Sequence, residues 1–136
     1  MTDTQNNDKA KSFLYKGKYY RCTLELAMDV IGGKWKSLLI FHLRHGAMRS
    51  SMLQHTLQGI SNKMFTQSIR ELEADDIVKR EIFPVIPPKV EYSLTEKGKS
   101  LLPIIENLAR WGISICDSYD EEAVKYFEEE LKQKQR

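Results

Sequence analysis

Apolar residues recur at helical spacing along most of this chain and switch once to alternation. Leu24, Ala27, Met28 and Ile31 fall at i, i+3, i+4 and i+7, predicting a first helix over 23–31 that stops at Gly32-Gly33. Trp35, Leu38, Leu39, His42 and Leu43 predict a second over 35–45, ended by Gly46. A third starts near Ser50 or Ser51, either of which suits an N-cap, and buries Leu53 and Leu57. A Gln58-Gly59 turn leads to a fourth helix, Asn62–Ala74, with Ser61 as its N-cap. The period then changes to two: 77–83 alternates weakly, and Lys89–Leu94 places Val90, Tyr92 and Leu94 on one side. Pro84-Val85-Ile86-Pro87-Pro88 forbids regular pairing and makes the loop between them. From Thr95 the helical period returns. Leu101, Ile104, Ile105, Leu108, Trp111 and Ile115 predict one long helix with Glu96 in its first turn, and Ala123, Phe127 and Leu131 a last helix over 120–134.

Three helices, a glycine turn, a fourth helix and then a hairpin are the layout of a winged helix-turn-helix. The expected fold class is mainly α with a small β-hairpin. The 136 residues fit one domain over 13–136, behind a polar, flexible tail over 1–12. Phe13, Leu14, Tyr15, Tyr19 and Tyr20 put enough apolar surface into the terminal arm that it must pack against something.

The fourth helix divides into two faces. Phe65, Ile69 and Leu72 point to the core, while Lys63, Thr66, Gln67 and Arg70 share the opposite side, with Asn62 at the tip. Those side chains suit base edges and phosphates: Arg matches guanine, and Asn or Gln matches adenine. The first turn beyond Ser61 also offers free backbone N–H groups to a phosphate. Lys79, Arg80 and Lys89 of the hairpin and Arg49 before the third helix are the further candidate contacts. The plain alternative for such a face is a solvated helix surface. Against it stands the absence of acids on this face before Glu71 and Glu73.

Net charge of +2 says less than its distribution. Lys9, Lys11, Lys16, Lys18 and Arg21 precede the first helix without an acid among them, whereas 120–130 holds six acids and one lysine. This suits a protein that lays one side on phosphates, and equally two solvated clusters. No stretch has the ~18 apolar residues of a membrane span, and the polar start is unlike a secretory signal. A cytoplasmic protein is expected. His42, His45 and His55 are scattered and make no metal set, and no cofactor motif is present. No Ser/His/Asp arrangement or phosphate loop supports an enzyme. A winged helix devoted to protein–protein contact would carry acids or apolar groups on the exposed face of its fourth helix, where this chain has Lys63, Thr66, Gln67 and Arg70.

Three ordered motifs resemble a known family. They are Cys22-Thr-Leu-Glu-Leu-Ala-Met-Asp-Val-Ile-Gly-Gly-Lys-Trp-Lys-Ser-Leu-Leu-Ile, then Gly59-Ile-Ser-Asn-Lys-Met-Phe-Thr-Gln-Ser-Ile-Arg-Glu-Leu-Glu, then Val85-Ile-Pro-Pro-Lys-Val-Glu-Tyr-Ser-Leu-Thr-Glu-Lys-Gly. Together they are similar to the HxlR-type regulators, over roughly 22–112. The resemblance implies a homodimeric, MarR-like winged helix on double-stranded DNA, joined through its N- and C-terminal helices (about 13–31 and 96–134). Two positions depart from the family pattern: Ser50 stands where an aromatic is frequent, and Asp76 where glycine often ends the reading helix. Some relatives sense oxidants or electrophiles through a cysteine matching Cys22. Here Cys22 lies at the expected start of the first helix beside Lys18 and Arg21, a setting that favours thiolate. Cys116 of a second subunit is the candidate disulfide partner. The alternative is a pair of ordinary reduced cysteines.

Overall fold

The computed structural model describes residues 12–125. The elements are β1 (Phe13–Tyr15), β2 (Lys18–Tyr20), α1 (Thr23–Ile31), α2 (Lys34–His42), β3 (Met48–Arg49), α3 (Ser50–Thr56), α4 (Asn62–Ala74), β4 (Val78–Phe83), β5 (Lys89–Leu94), α5 (Glu96–Lys99) and α6 (Leu102–Ile115). Residues 121–125 are helical. The expected tail over 1–12, Ser12 excepted, lies outside the described residues. So does the predicted last helix beyond 125, with Phe127 and Leu131.

Helix α2 lies at the centre of the core. Leu39, Ile40 and the following Leu43 are buried against Leu53, Phe65, Ile69 and Leu72. Ile40, which the single-face reading omitted, is fully buried because α2 is covered on more than one side. The helix ends at His42 rather than residue 45. The Leu43 and Arg44 N–H groups reach carbonyls only three or four residues back, Ile40, Leu39 and Phe41, and the chain tightens into turns toward Gly46 at φ +130°.

The wing has a third strand. β3 pairs antiparallel with β5, and β5 with β4, in the order β3-β5-β4. Two residues carry too little pattern to be read as a strand, and pairing at Arg49 makes that residue, not Ser50 or Ser51, the N-cap of α3. Register sets the faces: Val78↔Leu94 and Arg80↔Tyr92 share the face toward α4, where the Phe65 and Tyr92 rings meet edge to face at 6.5 Å. Lys79↔Ser93 and Phe83↔Lys89 share the other.

The single long helix expected from Thr95 is two helices. Pro103 sits in the first turn of α6 and has no N–H for the Lys99 carbonyl, so the chain breaks between them. The expected stripe also divides. Leu102 and Ile105 are buried, whereas Ile104, Leu108, Trp111 and Ile115 are more than half exposed. Leu24 and Met28 of α1 are exposed as well.

Candidate nucleic-acid interface

The Ser61 Oγ accepts from the Met64 N–H at 3.1 Å, which fixes where α4 begins. Phe65, Ser68, Ile69 and Leu72 are buried; Asn62, Lys63, Thr66, Gln67 and Arg70 are exposed and share one shallow outward concavity with Glu71. Glu71 is the member that the sequence reading placed beyond the surface. Its carboxylate takes the Lys36 ammonium of α2 at 2.7 Å and the Gln67 amide at 3.3 Å. The Lys36 hydrogen bond, helped by Gln67, holds the Glu71 carboxyl below its ordinary value. The acid is therefore already partnered at the edge of the surface. Asn62 is also engaged, since its Oδ1 accepts from the Gln54 amide of α3. Neither Lys36 nor Gln54 was legible as a partner, because their contacts cross between helices.

The far end of α4 closes in a Schellman motif: Ile77 N–H donates to the Leu72 carbonyl at 2.9 Å and Asp76 N–H to Glu73 at 3.0 Å. Asp76 takes φ +59°, so this chain meets with aspartate the left-handed position that glycine often fills. The β1–β2 hairpin is fastened to this same end. It turns through Lys16 (φ +45°) and Gly17 (φ +79°), as a two-residue turn requires. Tyr15 Oη donates to Asp75 Oδ1 at 2.7 Å, Lys16 donates to the Ala74 carbonyl, and Lys97 Nζ of α5 donates to the Asp75 carbonyl at 2.9 Å. Two cations thus lie at the negative end of the helix dipole. Burial, then the bond to Asp75, pushes the Tyr15 phenol up to about 12.

The remaining candidates separate. Arg80 is exposed on the sheet face shared with Tyr92. Lys79 points from the opposite face, so the two do not lie along one track. Lys89 is held 3.0 Å from Glu91 and lies over the Phe83 ring at 4.7 Å. Arg49 is exposed at the start of α3. Of the basic cluster before α1, Lys16 lies 3.3 Å from Asp75 and Lys18 3.2 Å from Asp29, so both serve inside the fold. Cys22 is the N-cap of α1 and Cys116 the C-cap of α6; both are exposed and neither is in a disulfide. Lys18, expected to stand by Cys22, is committed to Asp29. The Lys18 and Tyr20 hydrogen bonds, Tyr20's the larger effect, lower the Asp29 carboxyl. Among the described residues no group of three or more His, Cys, Asp or Glu side chains is placed to hold a metal. No helix there is long and apolar enough to cross a membrane.

Comparison with known proteins agrees with this architecture. Residues 30–120 match the family described as HxlR-like helix-turn-helix. An uncharacterised HTH-type transcriptional regulator of Methanothermobacter thermautotrophicus is 46% identical over 93 residues, covering 68% of this chain and 71% of its own. The redox regulator HypR in its oxidised form is 46% identical with a TM-score of 0.68, over 71% of this chain and 100% of that one. A MarR-family regulator of Porphyromonas gingivalis W83 is 33% identical with a TM-score of 0.69, over 75% of this chain and 100% of that one. With this fold and these relatives, the chain belongs to the HxlR-like helix-turn-helix family and is a transcriptional regulator of the helix-turn-helix type.

Proposed function

We propose that the chain binds a pseudo-palindromic DNA operator as a homodimer, each subunit reading a half-site in the major groove with α4. The observation that carries this is the outward face of Asn62, Lys63, Thr66, Gln67 and Arg70, beginning at the Ser61 cap and bordered by an acid already neutralised by Lys36. Arg80 and Arg49 supply phosphate contacts, and Lys89 joins them only by exchanging Glu91 for phosphate. Lys79 contributes at most to the general field. The unpartnered apolar residues of α1 and α6, among them Leu24, Leu108 and Trp111, support a two-fold interface that sets the spacing of the two readers. Such a protein works in the cytoplasm, on the chromosome.

The same reading includes a thiol switch. Cys22 is the sensing thiol, an oxidant or electrophile is the effector, and Cys116 of the other subunit is the resolving partner. Exposure of both thiols and the likeness to HypR support it. Genomic fragments selected by the reduced protein test the whole proposal. A recovered operator should be bound with a steep salt dependence, and Arg70→Ala should cost about 1–3 kcal/mol in specific affinity. Diamide should release the wild type but not Cys22→Ser. Failure to bind any fragment above non-specific levels overturns the DNA reading; release of Cys22→Ser by diamide overturns the switch alone.

A further inference from the structure

A cleft of about 760 Å³ opens between the loop after α2, the outer face of the wing and α6. That volume is in the range of small-molecule sites, roughly 300–1,000 Å³. Its chemistry is uneven. Arg44, Lys79, Lys99 and Arg110 bring four permanent cations from four different segments, against one carboxylate, Glu106. Three of the cations are restrained: Lys99 lies 3.3 Å from Glu96, the Arg110 guanidinium donates to Asn107 Oδ1 at 3.1 Å, and the Arg44 guanidinium donates to the Phe41 carbonyl at 3.0 Å and lies 3.9 Å from the Phe41 ring centroid. Glu106 is only 7% exposed, yet no hydrogen bond or ion pair reaches its carboxylate among the described residues. Lining the cleft, this carboxylate is an acceptor for a ligand's donor. Leu94 and Leu102 add apolar surface beneath.

We propose that this cleft is an effector site for a small organic anion, a phosphate ester or carboxylate, that also carries a hydrogen-bond donor. The anionic group is held by Lys99 and Arg110 at the rim, with Lys79 and Arg44 completing the positive wall. The donor meets Glu106. Lys79 belongs to this cleft rather than to the reading surface, because its strand register turns it away from Tyr92 and α4. The consequence for regulation rests on the proposed DNA reading. The ligand bridges β4 of the wing to α6, the helix that carries the exposed apolar stripe. Occupancy therefore fixes the angle between reader and dimer face.

Backbone-amide NMR of the reduced protein, titrated without DNA, tests the site directly. Glucose 6-phosphate carries the anion and the donors, inorganic phosphate the anion alone, and glucose the donors alone. Glucose 6-phosphate should give saturable shifts at Gly46, Ser93, Glu106 and Asn107, glucose none, and inorganic phosphate weaker ones. Arg110→Ala should weaken glucose 6-phosphate about tenfold. Glu106→Gln should erase its advantage over inorganic phosphate while leaving phosphate binding in place. Shifts confined to α4, or no saturable shift with either anion, overturn the proposal. A gel shift on the same samples separates the two readings. DNA binding without shifts in the cleft removes the effector site and leaves the regulator, whereas shifts in the cleft without DNA binding do the reverse.

Discussion

Gly98 shows how much one residue can decide. A β-carbon there would stand 2.2 Å from the Ile77 carbonyl oxygen, a backbone atom that cannot swing away. The same carbonyl accepts from the Thr95 N–H at 3.0 Å, and Thr95 Oγ1 caps Gly98 N–H at 3.0 Å while donating to the Asp76 carbonyl at 2.6 Å. The Thr95-Glu-Lys-Gly98 run is thus the joint between α4's end, the wing and α5. Gly98→Ala should lower the urea-unfolding free energy by about 1–3 kcal/mol, the usual cost of forced overpacking; an unchanged midpoint would mean that the joint yields. His42 makes a pH prediction. Burial, then the nearby Arg44 charge, lowers its pKa in the fold. The unfolded chain therefore binds this proton at higher pH than the native chain does. The stability His42 contributes is fully present above about pH 6.5, the unfolded value, and is lost as pH falls through the lower folded value. Urea midpoints measured from about pH 7.5 down to 5.5 should fall less steeply for His42→Gln than for the wild type. Equal slopes would assign the loss to other groups.

At the scale of elements, the N-terminal hairpin is a structural part of the helix-turn-helix unit. β1–β2 reaches across to the C-terminal end of α4 through Tyr15 and Lys16, and α5 adds Lys97. Removing one hydroxyl, Tyr15→Phe, leaves the Asp75 carboxylate with Lys16 alone and should cost about 1 kcal/mol. The more telling readout is local. Amides at Asp76 and Ile77 should exchange faster, while those of α2 keep their protection. A hairpin that merely rests on the surface would leave both sets unchanged. The aromatic arm was legible as something that must pack. Its hairpin form was not, since Lys16-Gly17 is a weak turn signal and three-residue strands have almost no periodicity. The opposite error occurred at α5 and α6, where a continuous apolar period outweighed Pro103.

Over the whole molecule, exposed apolar residues occur on the N-terminal hairpin and the wing as well as on α1 and α6, and α6 carries Ile104, Leu108, Trp111 and Ile115. Trp111 at 62% and Leu108 at 54% exposure are large groups left to water on one helix. On the proposed two-fold interface, Trp111→Glu should shift the sedimentation mass from dimer to monomer and weaken binding to the proposed operator with it, because each half-site then binds alone. A dimer that survives the change would place the interface elsewhere.

The sequence alone determined the order of the first four helices, the Ser61 start of α4, its core side at Phe65, Ile69 and Leu72, the hairpin strands around the proline loop, and membership of the family. Those features are local: caps, periods of 3.6 and 2, and turn residues act over a few positions. The tertiary structure decided which surface residues remain available. It spent Lys16 and Lys18 on Asp75 and Asp29, tied Lys89 to Glu91, and neutralised Glu71 with Lys36. A charge on a sequence is only a candidate, because its partner is chosen by elements that meet across space, and periodicity holds no record of those meetings.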